Sequence, residues 1–245
     1  MLFRSGKELE RAELLLGKEN VAKLKQCTAV VAGVGGVGSF AAEALARTGI
    51  GHLILIDKDQ VSESNLNRQI MAVRDTVGVN KCLAMKERIE SYRTDCRVDC
   101  LDMFLEESNM DVLLGADIVI DAIDTVTSKL ALISYCHEHD IPVISSLGMG
   151  NRLDPSQVYI CDLWDTSGDP LARSVRQMAR KRGMNYPITV LMSREIPVKQ
   201  NQVTDPDGQT RKDRIPPASV IFVPAEAGLL AASYAVRKIL GVIGQ

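Results

Sequence analysis

Four closely spaced glycines and one acid further along the chain are the first residues of this sequence that indicate a chemical function. Gly33, Gly35 and Gly38 fit the spacing G-x-G-x-x-G, and Gly36 is an additional glycine. Such a turn, between a strand and a helix, presents backbone N–H groups to an anion. Asp57 follows about twenty residues beyond the turn, where an acid bonds a ribose hydroxyl in dinucleotide-binding folds. This pattern predicts a bound nucleotide but does not say which one.

Charged and amide side chains are concentrated just after that acid, in the stretch IDKDQVSESNLNRQI. An enzyme that holds NAD needs little there beyond one acid, whereas the three phosphates of ATP carry several negative charges in a small volume. The cluster therefore favours ATP over NAD. A function as an NAD-dependent oxidoreductase would not explain residues 65 to 69. Its members are Asp57, Asp59, Asn65, Arg68 and Gln69, with Lys81 and Asp124 further along the chain.

Purely structural roles are the alternative for these residues. Asn65 could be only a turn residue, Lys81 a solvated lysine at a helix start, and Asp124 an N-cap. A noncatalytic binding module or scaffold of the same fold would have lost Arg68, Lys81 or Asp124. All three are present, which favours an enzyme.

Strands and helices that alternate along the chain must position these residues. Buried strands alternate with helices up to about residue 150, which predicts an α/β fold with a Rossmann-like doubly wound, mainly parallel sheet. Ligands bind at the carboxyl ends of such strands, so the predicted site residues should converge there. We expect one domain over 1–245, with N-terminal helices over 1–26, a nucleotide-binding half over 27–150 and a less regular part over 151–245.

The pattern of elements in the second half is less regular. QVYICDLW and ITVLMS predict strands, and a helix should begin at Asp169-Pro170, where proline suits the first helical position. Residues 197–217 are polar and rich in Pro, Asp and Gln, which predicts a long mobile loop. The stretch SVIFVPAEAGLLAASYAVRKIL predicts a final strand followed by a final apolar helix.

Charge and cysteine content limit the classes of function. The formal net charge is -2, so no global basic field attracts nucleic acid, and any such binding must be local. None of the six cysteines forms a CxxC pair, which favours reduced thiols in a cytoplasmic protein. The charged N-terminus has no secretory pattern and no apolar run is long enough for a bilayer, so we expect no membrane association.

Family resemblance becomes visible in three stretches taken together: GVGGVGSFAAEALARTGIGHLILIDKDQVSESNLNRQI, VGVNK and DAIDTVTSK. They resemble the ubiquitin-activating-like (ThiF/MoeB/HesA) superfamily, and are most similar to its branch of tRNA threonylcarbamoyladenosine dehydratases. The resemblance implies an adenylation-type fold and an ATP- and Mg²⁺-dependent adenylating ligase. Attack of a carboxylate on ATP would give an acyl-adenylate, for which positioning and charge neutralisation matter most.

Roles for individual residues also follow from the resemblance. Asp57 would hold the ribose, and Asn65 and Arg68 would bind phosphates. Lys81 would lie near the α-phosphate, and Asp124 would hold Mg²⁺. The full set implied for nucleotide binding is Gly33, Gly35, Gly36, Gly38, Asp57, Asp59, Asn65, Arg68, Gln69 and Lys81.

Partner subunits and partner proteins are implied as well. The resemblance implies that Arg68, Lys81, Asp124 and Arg11 are catalytic. It also suggests a homodimer in which Arg11 would reach into the partner subunit's site. A sulfur-relay protein is a further partner that the resemblance leaves open. Cys161 could form a thioester, as in relatives that pass a carrier protein to a thiol, although an inert cysteine is the simpler interpretation.

Two substrates could supply the carboxylate. One is threonylcarbamoyladenosine in tRNA, which would be dehydrated with ring closure; the other is the C-terminal glycine of a ubiquitin-like sulfur carrier. The absence of paired CxxC motifs favours tRNA. So does the cation-rich helix after Asp169, although a solvated helix face is the alternative. Its basic residues are Arg173, Arg176, Arg180, Lys181 and Arg182.

Overall fold

Seven strands form one sheet at the centre of this computed structural model, which describes residues 7–200 and 217–242. The strand order is β3-β2-β1-β4-β5-β7-β6, and every neighbouring pair is parallel except β6 with β7. The strands are β1 Thr28–Ala32, β2 His52–Ile56, β3 Arg97–Leu101, β4 Ile118–Asp121, β5 Val143–Ser146, β6 Val158–Asp162 and β7 Thr189–Ser193. The order confirms the predicted doubly wound, mainly parallel sheet.

Helices cover both faces of this sheet. They are α1 Glu10–Leu16, α2 Lys18–Lys25, α3 Gly38–Thr48, α4 Lys81–Glu90, α5 Val126–Glu138, α6 Pro170–Lys181 and α7 Phe222–Leu240. One apolar core includes Val31 and Leu55 of the sheet with Leu45 of α3; the other includes Val119 with Leu130 of α5. Because both faces are covered, the central strands are runs of apolar, mainly β-branched residues.

Close packing of α3 against α7 depends on a glycine. A Cβ on Gly228 of α7 would lie 2.4 Å from the Val37 carbonyl oxygen and 2.8 Å from the Phe40 Cβ. Only glycine lets the two backbones approach this closely, so α7 fixes the helix that follows the glycine turn.

The predicted strand at the start of SVIFVPAEAGLLAASYAVRKIL is wrong. Residues 217–221 form no strand, and the apolar run enters α7 at Phe222. Pro224 lies in the first turn, where a missing N–H removes no helical hydrogen bond, so it does not interrupt the helix. Of the loop predicted over 197–217, residues 201–216 lie outside the described residues. No helix in the described ranges is long and apolar enough to cross a bilayer.

Candidate active site

Glycines shape the turn between β1 and α3. Gly33 has φ of +88°, and a Cβ there would lie 2.7 Å from the Ala122 carbonyl oxygen. A Cβ on Gly38 would lie 1.8 Å from the Gly33 carbonyl oxygen. Both positions therefore require glycine, and the turn lies directly against the residues that follow β4. This is the crevice between β1 and β4, where the strand order reverses and such folds bind ligands.

Asp57 connects the end of β2 to the glycine turn. Its Oδ2 accepts a hydrogen bond of 2.7 Å from the Val34 backbone N–H, and its Oδ1 accepts one of 2.9 Å from the Asp59 N–H. A carboxylate has about four lone-pair directions, so both oxygens retain capacity for a ribose hydroxyl. Asp57 therefore shapes the crevice in addition to the role predicted for it.

Lys81 is buried at the start of α4 rather than solvated, since it is 7% exposed. Its Nζ lies 2.7 Å from Asp59 Oδ2 and 4.0 Å from Asp57 Oδ2. Asn80 caps α4, because its Oδ1 accepts hydrogen bonds from the first-turn N–H groups of Cys82 and Leu83. The cap and the two carboxylates hold this cation at the edge of the crevice.

Asn65 ends a short 3₁₀ turn, Glu63–Asn65, and Arg68 and Gln69 follow it. Asn65 Oδ1 accepts a hydrogen bond from the Ser62 N–H at 3.0 Å, so its oxygen serves the turn. The half-buried Arg68 packs beside the glycine turn. A Cβ built on Gly36 would lie only 3.7 Å from the Arg68 Cγ. The structure therefore brings this segment to the same edge as Asp57.

Gln69 carries an unpartnered buried acceptor. The residue is 6% exposed, and its Oε1 has no hydrogen-bond partner in the part of the chain that the structure describes. Its Nε2 would lie 3.9 Å from a Cβ on Gly35. A buried carbonyl without a donor costs about 1–3 kcal/mol, so its presence beside the turn fits a ligand that supplies a donor.

Asp124 presents an exposed carboxylate after β4. Its only described hydrogen bond is from Thr125 Oγ1 at 3.3 Å. The N-cap of α5 is Thr125, so the interpretation of Asp124 as N-cap is wrong. The described ranges contain no group of three or more His, Cys, Asp or Glu residues that could hold a metal. Mg²⁺ needs no such group, since one or two carboxylates with substrate phosphates suffice, and Asp124 fits that requirement.

A buried ion pair supports this loop and was not predicted. Lys129 and Asp121 have fully buried side chains, and Lys129 Nζ lies 2.6 Å from Asp121 Oδ2. The Lys129 ammonium also donates to Ser145 Oγ at 3.1 Å and the Ser146 carbonyl at 2.9 Å. Asp121 Oδ1 accepts from the Ile123 N–H, one residue before Asp124. In the stretch DAIDTVTSK a lysine follows an acid by eight residues. That spacing is the only feature of the sequence that could have suggested the pair.

Arg11 is not brought to the site. It is exposed on α1 and forms no hydrogen bond or ion pair with another described residue. Leu14 and Leu15 on the same helix are 80% and 85% exposed. Within one chain, therefore, α1 presents a cation and two apolar side chains away from the described core.

The cation-rich helix α6 is only partly a free basic face. Arg176 donates to Thr166 Oγ1, Arg182 pairs with Glu107 at 3.1 Å, and Arg180 lies over the Trp164 ring at 5.6 Å. Arg173, Arg180 and Lys181 are exposed. The available positive charge is therefore smaller than the five residues counted in the sequence.

Cysteine chemistry receives no support from the geometry. All six cysteines are free thiols. Burial raises the pKa of the Cys161 thiol, which lowers the thiolate fraction that a thioester would need.

Known proteins are similar to this chain over nearly its whole length. The ThiF family matches residues 9–244. A tRNA threonylcarbamoyladenosine dehydratase of Bacillus subtilis is 42% identical over 95% of this chain and 94% of its own length. The solved Escherichia coli tRNA N6-threonylcarbamoyladenosine dehydratase in complex with ATP has a TM-score of 0.86 and 34% identity over 98% of this chain and 97% of that one.

A relative with a different printed activity matches less of the chain. The adenylyltransferase and sulfurtransferase MOCS3 of Drosophila sechellia is 33% identical over 53% of this chain and 29% of its own length.

Proposed function

The chain belongs to the ThiF family, and from that membership we propose that it catalyses the ATP-dependent cyclising dehydration of threonylcarbamoyladenosine in tRNA. One observation carries the proposal: the identity of 42% to the Bacillus subtilis dehydratase extends over 95% of this chain. The match therefore includes the second half, where relatives with other substrates should diverge, and not only the nucleotide crevice.

Activation of the carboxylate is the first step of the proposed reaction. A carboxylate oxygen of the modified nucleoside attacks the α-phosphorus of ATP, a P–O bond to pyrophosphate breaks, and an acyl-adenylate forms. Negative charge on the phosphates is neutralised by Lys81 and Arg68, which the fold already holds at the crevice. The glycine turn and Asp57 orient the nucleotide, so most of the catalysis comes from positioning and electrostatics.

Asp124 is the proposed Mg²⁺ ligand. Its exposed carboxylate has one weak partner and adjoins the glycine turn through the loop that contains Ala122. Bound Mg²⁺ would neutralise charge on the phosphates and orient them for displacement. The buried pair of Lys129 with Asp121 keeps that loop, and hence Asp124, in place.

Ring closure completes the proposed reaction. A nitrogen of the same modification attacks the activated acyl carbon and loses its proton to solvent, and the bond to AMP breaks. The net change is loss of one water from the nucleoside while ATP becomes AMP and pyrophosphate. No enzyme thiol takes part, which agrees with the raised pKa of Cys161.

A homodimer is part of the proposal. Arg11 would enter the partner subunit's site, and the exposed Leu14 and Leu15 would be covered in the same interface. We further propose that the enzyme works in the cytoplasm, where its tRNA substrate and reduced thiols belong. The sulfur-relay partner and the division into the halves 27–150 and 151–245 remain predictions.

Release of pyrophosphate tests the choice of substrate. Adenylation of a small carrier protein with a C-terminal glycine is the alternative, and the match to MOCS3 keeps it in the experiment. Purified protein with ATP and Mg²⁺ should release pyrophosphate with tRNA bearing threonylcarbamoyladenosine, and not with unmodified tRNA. Release with a carrier protein alone would replace the tRNA assignment.

A further inference from the structure

Residues 217–219, which we call the bridging segment, connect two loops that flank the nucleotide crevice. In the sheet, β2 and β5 lie on either side of β1 and β4. Asn67, in the loop after β2, donates from Nδ2 to the Ser219 carbonyl oxygen at 2.8 Å. Asn151, in the loop after β5, accepts from the Ala218 N–H at 2.9 Å and donates its own N–H to the Ala218 carbonyl. The bridging segment therefore joins a loop from one side of the crevice to a loop from the other side.

Asn151 forms a fixed anchor for this segment. Its φ is +60°, a conformation that asparagine tolerates better than most residues. Its carbonyl also accepts from the Val198 N–H at 2.7 Å. A Cβ on the preceding Gly150 would lie 2.7 Å from the Pro217 Cβ, so the contact is close. None of these groups is bonded to a residue of the proposed phosphate site.

Asn67, by contrast, contacts a cation of that site. Arg68 Nη1 donates to Asn67 Oδ1 at 3.1 Å and to the Ser64 carbonyl at 2.7 Å. One amide group thus accepts from Arg68 and donates to Ser219. Hydrogen bonds in such a chain polarise one another, so loss of the bond at Oδ1 weakens the bond at Nδ2.

We propose that Asn67 is a positioning residue that links occupancy of the phosphate site to the bridging segment. The inference rests on the proposed function, in which Arg68 binds ATP. Phosphate oxygens are stronger acceptors for a guanidinium than a neutral amide is, so ATP withdraws Arg68 from Asn67. The bridging segment then loosens at its Ser219 end and opens the crevice to the carboxylate of the second substrate. ATP accordingly binds before that substrate.

Hydrogen–deuterium exchange of a peptide covering residues 217–222 tests the link, with ATP and Mg²⁺ and no tRNA. Wild-type exchange should rise on ATP binding by at most about fivefold, the change that complete loss of one hydrogen bond would give. Asn67→Asp keeps an acceptor for Arg68 but has no donor for Ser219. Its exchange should already be fast without ATP and should not respond to ATP. Thermal shift with ATP checks that this variant still binds the nucleotide.

Two further variants separate the link from general loosening. Asn151→Gly keeps the left-handed backbone and loses the side-chain bond, so exchange should be faster throughout while the response to ATP persists. Asn185→Asp, at an exposed position before β7, should behave as wild type. An unchanged ATP response in Asn67→Asp, or no response in ATP-bound wild type, overturns the inference. If instead the proposed function is wrong, the exchange result will still be seen, but the protein will not dehydrate tRNA.

Discussion

Lys81 and Arg68 are the residues on which charge neutralisation depends. Lys81→Ala or Arg68→Ala should lower adenylation about a hundredfold or more, the scale observed when one preorganised donor to developing charge is lost. Pyrophosphate release measures the rate, and thermal unfolding confirms that the fold persists. Lys86→Ala removes a lysine of the same helix, whose partner is the exposed Glu90, and should leave the rate unchanged. Full activity in either site variant would refute the site assignment.

Lys129 contributes to the stability of the fold, because its charge is fully buried against that of Asp121. Lys129→Met should destabilise the protein by about 3–5 kcal/mol, since a buried carboxylate is left without its partner. Adding Asp121→Asn to the same chain should recover part of the loss, because no buried charge then remains. Urea denaturation measures both. Equal stability of Lys129→Met and wild type would show that the pair does not act as the geometry indicates.

Spacing in the sequence predicted which residues meet, but not how they are engaged. Gly33, Asp57 and Lys81 converge because parallel strands end at one edge, a property of the fold class. The pairing of Lys81 with Asp59 and the orphaned Gln69 oxygen depend on side-chain directions that no pattern specifies. Burial of Lys129 was missed for the same reason, since a lysine on a helix is usually solvated.

Helix α6 is the element that we expect to bind tRNA. Changing Arg173, Arg180 and Lys181 together to alanine should weaken tRNA binding and lower the salt slope by up to about three, one for each lost phosphate contact. Filter binding across a salt series measures the slope. Arg97→Ala is the matched control, because Arg97 is an exposed arginine on β3 at the other edge of the sheet. An unchanged slope in the triple variant would make α6 a solvated surface.

Most elements were predictable because their local signals agreed with the fold. Asp169 caps α6 through a 2.6 Å bond to the Ala172 N–H, as the Asp-Pro pair indicated. The strand expected before α7 was wrong because a short apolar run fits a buried strand and a buried helical turn equally well. Packing of α7 against α3 through Gly228 favours the helix, and that contact joins residues that are distant in the sequence.

At the scale of the whole molecule, the proposed trans role of Arg11 makes a distinctive prediction. Arg11→Ala and Lys81→Ala proteins should each be inactive alone. When mixed under conditions that exchange subunits, they should regain activity, because one site of each mixed dimer has Lys81 and receives an intact Arg11 from its partner. Pyrophosphate release measures the recovery. Continued inactivity of a mixture shown to contain mixed dimers would place Arg11 in cis or outside the site.

Mass spectrometry of tRNA nucleosides shows whether the protein dehydrates threonylcarbamoyladenosine. Purified protein is incubated with ATP, Mg²⁺ and tRNA bearing threonylcarbamoyladenosine, beside a sample without ATP and one with the Lys81→Ala variant. We expect that nucleoside to lose one water in the complete reaction only. An unchanged nucleoside, in a preparation that still binds ATP, would contradict the dehydratase assignment and direct attention to carrier proteins with a free C-terminal glycine.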